Sequence, residues 1–152
     1  TNLYGGRDNF NIGTSHVIPG LITKFLNAKK DKKIVKIWGS GKPIREFIHV
    51  DDLAEAIILL LNLRSSKILK SMKGNLPILN IGSGHSLTIK KLAILIKRLT
   101  NFKGKIYFDH SYPDGTINKN LDSKKIKMLK WKPKIKLEDG LKKIIMERIL
   151  KN

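Results

Sequence analysis

Apolar residues recur along this chain at two spacings, and the switches between them mark out its elements. Thr1 to Gly5 reads as the end of a strand, followed by a loop rich in Gly, Asn and Asp up to Ser15. From His16 to about Ala28, Val17, Ile18, Leu21, Ile22 and Phe25 fall three and four apart, which predicts an amphipathic helix. Pro19 sits in its first turn, where a missing amide hydrogen costs little. Lys29 to Lys33 predicts a charged loop. Val35 and Ile37, then Ile44, Phe47, Ile48 and Val50, flank Gly39-Ser40-Gly41 and predict strand, tight turn, strand. A helix is expected from near Leu53 to Leu63, capped by Asp51 or Asp52, because a short carboxylate accepts the free amide hydrogens of a first turn. That helix is apolar nearly all round and is expected to be buried on most sides. Arg64 to Pro77 is polar and reads as a surface excursion.

Ile78 to Ile81 predicts a buried strand and Gly82-Ser83-Gly84 a turn. Ser86 or Thr88 then caps a helix with Ile89, Leu92, Ile96 and Leu99 on one face. Lys105 to Phe108 predicts a strand, and a loop from Asp109 to Asn120 leads to a helix capped by Asp122. Leu137, Leu141, Ile144, Ile145 and Ile149 define a last amphipathic helix, with Glu138 and Asp139 in its positive first turn. Helices alternating with short strands are an α/β pattern, with too few strands for a complete doubly wound sheet.

Composition narrows the class. A chain of 152 residues, 41% hydrophobic, is expected to form one globular domain. The absence of cysteine excludes disulfides and Cys-based zinc sites and fits a reducing compartment, so a cytoplasmic location is expected. No apolar run is long enough for a membrane span. The net charge of +19 invites a nucleic-acid reading. Against it, the lysines are scattered along the chain and accompany many isoleucines and asparagines, the mark of an AT-rich genome. Only 5 of the 31 basic residues are arginine, the residue that reads guanine edges, so no nucleic-acid partner is expected.

That scarcity makes Arg45 informative. Its rigid fork suits a phosphate, and the alternative is a structural salt bridge to Glu46 or a nearby aspartate. His16, at a helix start after a loop, suits a general acid/base or a hydrogen-bond donor, or is a cap. His49, among apolar residues, reads as a core histidine. Trp38 either stacks on a flat ligand ring at the sheet rim or is a partly buried core aromatic. Gly82-Ser83-Gly84 could cradle a phosphate but lacks the third glycine of a dinucleotide fingerprint, which favours a simple turn. Pro113-Asp114-Gly115-Thr116 is a turn signature, and Lys119 follows it in a loop. The four histidines have no metal-ligand spacing, so no metal is expected.

Taken together, the blocks TNLYG, DNF, SHVIP, WGSGKPIREFIHVDDLAEA, LNIGSG, FDHSYPDGT and KNLDSKKIKMLKWKPKI resemble the GDP-L-fucose synthase family of extended short-chain dehydrogenases/reductases. The resemblance covers the whole chain. REFIHVDD and NIGSG indicate only the wider nucleotide-sugar group; SHVIP with PDGT narrows it to the fucose enzymes. It implies that residues 1–152 are the C-terminal substrate-binding domain, with the last cofactor-lining segments, of a longer Rossmann-type enzyme. The main doubly wound sheet would be largely missing, as would the glycine-rich fingerprint, the catalytic Ser, the Tyr-X-X-X-Lys motif and an acid/base Cys. The implied cofactor is NADPH, the implied substrate a GDP-sugar, and the implied assembly of the full enzyme a homodimer. Thr1, Asn2 and Leu3 match the segment lining the nicotinamide, and His16 a cofactor contact that is also the general acid of epimerisation. Trp38, Arg45, Asp114 and Lys119 match substrate contacts, with Arg45 on the diphosphate. Lys24 falls where the family commonly has a substrate-binding arginine; lysine keeps the charge and loses the fork. Another nucleotide-sugar epimerase or dehydratase, or a basic nucleic-acid-binding module, are the competing readings.

Overall fold

The two strands flanking Gly39-Ser40-Gly41 do not pair with each other, and this sets the architecture. The computed structural model describes residues 1–31, 34–71 and 78–150. Its elements run β1 (Asn2–Tyr4), α1 (Val17–Asp31), β2 (Val35–Trp38), β3 (Ile44–His49), α2 (Val50–Asn62), α3 (Ser65–Ser71), β4 (Ser86–Thr88), α4 (Ile89–Leu99), β5 (Ile106–Asp109), β6 (Asn118–Lys119), α5 (Lys124–Met128) and α6 (Leu137–Leu150). β2 pairs in parallel with β5, Val35 opposite Ile106 and Trp38 opposite Asp109. β3 organises the other sheet: Phe47 to His49 lie parallel to β1, Ile44 to Glu46 antiparallel to β4, and Ile44 and Arg45 parallel to β6. The class is mixed α/β with parallel pairings, as the alternation of elements predicts. The turn between β2 and β3 needs glycine, because Gly39 and Gly41 have φ of +78° and +74° and a Cβ on Gly41 would strike the Phe108 ring.

The main core lies where α1, α4 and α6 meet β2. Ile22, Phe25, Leu92, Ile96, Leu141 and Ile144 are buried there, on the faces that the helical spacing marks out. Ile149 is half exposed and falls outside it. α1 runs on to Asp31, so Lys29 and Lys30 form its last turn and not a loop, where cations suit the negative helix end. Residues 32 and 33 of that expected loop lie outside the described residues. α4 starts at Ile89, with Thr88 Oγ1 accepting the Lys91 N–H at 3.1 Å. A smaller cluster joins Ile48, Ala56, Ile126 and Trp131. No helix among the described residues is long and apolar enough to cross a membrane.

Several expectations are corrected. α2 begins at Val50, and neither aspartate caps it: His49 Nδ1 accepts the Asp51 N–H at 3.2 Å. α2 is not buried on most sides, since only Asp52 and Ala56 are buried while Val50, Ile57, Ile58 and Leu61 are exposed. Within 64–77, Ser65–Ser71 is helical and 72–77 lie outside the described residues. Ile78 to Ile81 form no strand; Ile78 is exposed and the other three are half-buried. Short β6 lies inside the expected loop Asp109 to Asn120. At α5, Ser123 holds the cap position without a side-chain bond, while Asp122 Oδ1 accepts the Lys124 N–H at 2.9 Å.

Asp52 has a different job from the expected cap. Its carboxylate, 2% exposed, accepts the N–H groups of Lys134 and Ile135 at 2.9 and 3.0 Å. Asp52→Ala leaves both amides without their acceptor and is expected to destabilise the fold by about 2–4 kcal/mol. Urea unfolding measures this, with exposed Asp51→Ala as the comparison; equal stability of the two variants would refute the assignment.

Candidate functional site

The start of β3, the turn before it, the head of α1 and the 110–117 loop converge on a cleft of about 290 Å³. Six of the residues singled out in the sequence line it: Asn2, His16, Lys24, Trp38, Arg45 and Asp114. A second cavity, about 460 Å³, is lined by Thr1, Asn2, Leu3 and His16 together with Val17, Arg45 and Phe47. Asn2, His16, Val17 and Arg45 belong to both, so the two spaces adjoin. Lys119 lines neither, but β6 pairs with β3 so that Lys119 stands opposite Arg45.

The local geometry follows from the strand and its turn. Arg45 makes no salt bridge to Glu46 or an aspartate among the described residues. Its Nη1 donates to the carbonyls of Ile44 at 2.8 Å and Thr116 at 2.5 Å, which fixes the guanidinium at the cleft. Asp114 is tied to the β2–β3 turn: Ser40 Oγ donates to Oδ2 at 2.5 Å and the Ser40 N–H to Oδ1 at 2.8 Å. Those bonds, the hydroxyl's first, hold its carboxyl below the usual range. The tie is therefore intact at neutral pH and lost only as pH falls through that lowered value. Trp38 is 60% exposed, which rules out the core alternative; it stacks on Tyr112 with centroids 4.7 Å apart and planes at 14°. Lys24 Nζ lies 5.0 Å from the Trp38 ring centroid and donates to the Lys36 carbonyl at 3.0 Å. Burial lowers its pKa from the ordinary lysine value. The His16 carbonyl accepts the Gly20 N–H at 2.9 Å, so His16 heads α1 with an exposed side chain. His49 is buried, as a core histidine should be.

These features describe a cleft with fixed cations, one exposed aromatic pair and a hydrogen-bonding wall. Residues 1–82 match the NAD dependent epimerase/dehydratase family. The chain belongs to that family. A protein of Oryza sativa subsp. japonica named probable GDP-L-fucose synthase 1 is 48% identical over 142 residues, 93% of this chain and 40% of that protein. GDP-L-fucose synthase of Escherichia coli (strain K12) is 44% identical over 142 residues, 93% of this chain and 44% of that one. The solved structure of MlghC, GDP-mannoheptose C4 reductase from Campylobacter jejuni with NADP bound, matches with a TM-score of 0.79 at 35% identity. That match covers 99% of this chain and 51% of that one. The chain thus spans less than half the length of these two curated relatives. The likeness to GDP-L-fucose synthase carried by the sequence blocks extends over 93% of it.

Within this epimerase/dehydratase-family chain, no tyrosine is followed by lysine four residues on: Asp8, Ser111 and Thr116 stand there after Tyr4, Tyr107 and Tyr112. Among the described residues no group of three or more His, Asp or Glu could hold a metal ion. Three contributors escaped sequence reasoning. Ser40 looks like turn filler and is the partner of Asp114; Tyr112 is the residue just before PDGT and stacks on Trp38. Glu46 is the third. Its carboxylate fills the Gly82-Ser83-Gly84 turn, taking the Gly84 N–H at 2.6 Å, so that turn cradles the protein's own anion. Strand alternation was the available signal, since the neighbour of a cleft-facing Arg45 must face inward.

Proposed function

We propose that this chain forms the GDP-sugar-binding side and the nicotinamide-facing lip of an NADPH-dependent GDP-L-fucose synthase acting as a homodimer. The observation that carries the reading is the pair of adjoining cavities, with Asn2, His16 and Arg45 common to both. One space holds the fixed cation and exposed tryptophan that a nucleoside diphosphate needs. The other offers hydroxyl, amide and imidazole groups between Leu3, Val17 and Phe47, which fits an uncharged carboxamide ring. Thr1 Oγ1 and Asn2 Nδ2 both donate to the Glu46 carbonyl at 2.9 Å, which turns the Asn2 amide oxygen into the available acceptor. The Gly82-Ser83-Gly84 turn is no phosphate cradle, because Glu46 fills it.

When bound, the nicotinamide supplies hydride to carbon four of the keto sugar. The residues of this chain bind, orient and deliver a proton. Arg45 holds the diphosphate with the part of its fork not committed to Thr116, assisted by Lys119, and Lys24 adds charge beside Trp38. Anchored at that end, the sugar lies near His16. The ketone acidifies the hydrogens on carbons three and five; a base outside these residues takes the proton, and His16 returns one to the carbon from its own side.

Two measurements test this. The 152-residue chain is expected to bind GDP, yet to leave NADPH absorbance unchanged with GDP-4-keto-6-deoxy-mannose, since it carries no Tyr-X-X-X-Lys pair. Turnover by the purified chain would refute the assignment of catalysis to groups outside these residues. The likeness to a GDP-mannoheptose C4 reductase favours a second reading, reduction without epimerisation. In a chain of the relatives' full length, reduction with no entry of solvent deuterium at carbons three and five would select it.

A further inference from the structure

The mechanism above makes no use of the Glu46 carboxylate, although it stands one residue from Arg45. Successive strand residues face opposite sides, so Arg45 lines the cleft while Glu46, 2% exposed, points into the protein. No lysine or arginine comes within salt-bridge distance of it among the described residues. Oε1 accepts the Gly84 N–H at 2.6 Å and the Ser83 hydroxyl at 3.4 Å, and Oε2 accepts the Leu121 N–H at 3.0 Å. The bond to Leu121 is the informative one. Leu121 lies just past β6, which is only two residues long, and every residue from His110 to Asn120 is exposed. A strand that short and wet does not hold its own register; its entry is held by the Ile44 N–H on the Ile117 carbonyl at 2.7 Å and by Arg45 on Thr116, which leaves its exit to Glu46. Yet its register puts Lys119 directly opposite Arg45 in a parallel pair, on the same face.

We infer that Glu46 is a positioning residue: by holding Leu121, it fixes β6 and keeps Lys119 beside Arg45 as a two-cation site for the diphosphate of a nucleotide sugar. The inference rests on the GDP-sugar reading above. Two adjacent cations repel, and an untethered Lys119 swings into solvent. An acidic partner on the same face would hold it there only by cancelling the charge that the diphosphate requires. A backbone tether from the opposite face leaves both charges intact.

Titration calorimetry with GDP, and with guanosine as the phosphate-free control, tests this on the 152-residue chain. Glu46→Gln and Lys119→Ala should each weaken GDP about tenfold, on the scale of one charge-assisted hydrogen bond, and leave guanosine unchanged. Because Glu46 acts through Lys119, the double variant should bind GDP no more weakly than Lys119→Ala. Additive losses, equal losses for GDP and guanosine, or no loss would overturn the inference. If Glu46→Gln does not fold, amide exchange in the unaltered chain decides: the Leu121 N–H should be protected well beyond those of His110, Asp114 and Gly115, and equal exchange would overturn it. If the unaltered chain binds GDP no better than guanosine, the GDP-sugar reading and the diphosphate role of Lys119 both fall. The exchange result then still reports whether Glu46 holds β6.

Discussion

His16→Gln, made in a chain of the relatives' full length, is expected to slow exchange of solvent deuterium into carbons three and five of the sugar by about 10²–10⁴-fold. The residue is held at the head of α1 by the Gly20 N–H on its carbonyl, and its side chain reaches both cavities. Glutamine keeps a hydrogen-bonding group at that point but cannot cycle a proton at neutral pH. Hydride transfer to a ketone already in the right configuration should persist, because the residues assigned to it lie elsewhere. NMR detection of deuterium incorporation, with NADPH affinity measured separately, is the experiment. Washout at the unaltered rate would leave His16 as a cofactor contact or helix head only.

Arg45→Ala, in the same setting, is expected to weaken the sugar nucleotide by roughly 1.5–3 kcal/mol, about 10–150-fold. NADPH affinity should hardly change, since the charge is assigned to the diphosphate. The alanine also releases the Thr116 carbonyl, so part of the loss comes from the loop that this arginine fixes. Arg45→Lys separates the two contributions: it retains charge, forfeits the fork, and should fall between. A Michaelis constant for the sugar nucleotide equal to the unaltered one would exclude this role.

The long helices were legible because three or four turns of apolar spacing outweigh local accidents; Leu21, Ile22 and Phe25 in α1 and Leu92 and Ile96 in α4 are buried where the spacing puts them. Short elements were not. Ile78 to Ile81 has the composition of a strand but pairs with no strand among the described residues, and the two residues of β6 carry no pattern to read. The apolar character of α2 said that its surface is greasy, not that it is covered: among the described residues Ile58 and Leu61 stay exposed. At the site, Arg45 and His16 announced themselves by residue type and position. Ser40, Tyr112 and Glu46 did not, because each takes its meaning from a residue far along the chain.

That distance has a kinetic consequence. The ties that shape the cleft join Ser40 to Asp114, Arg45 to Thr116 and Glu46 to Leu121, residues 74, 71 and 75 positions apart. Contacts that close such long loops are made only after the intervening chain has condensed. The 110–120 segment is therefore a late arrival in folding. With its residues all exposed, it also detaches at a lower free energy than the helical core. Occupancy of the cleft draws on that local equilibrium, so a ligand should slow proteolytic nicking of this segment before it alters the melting of the whole.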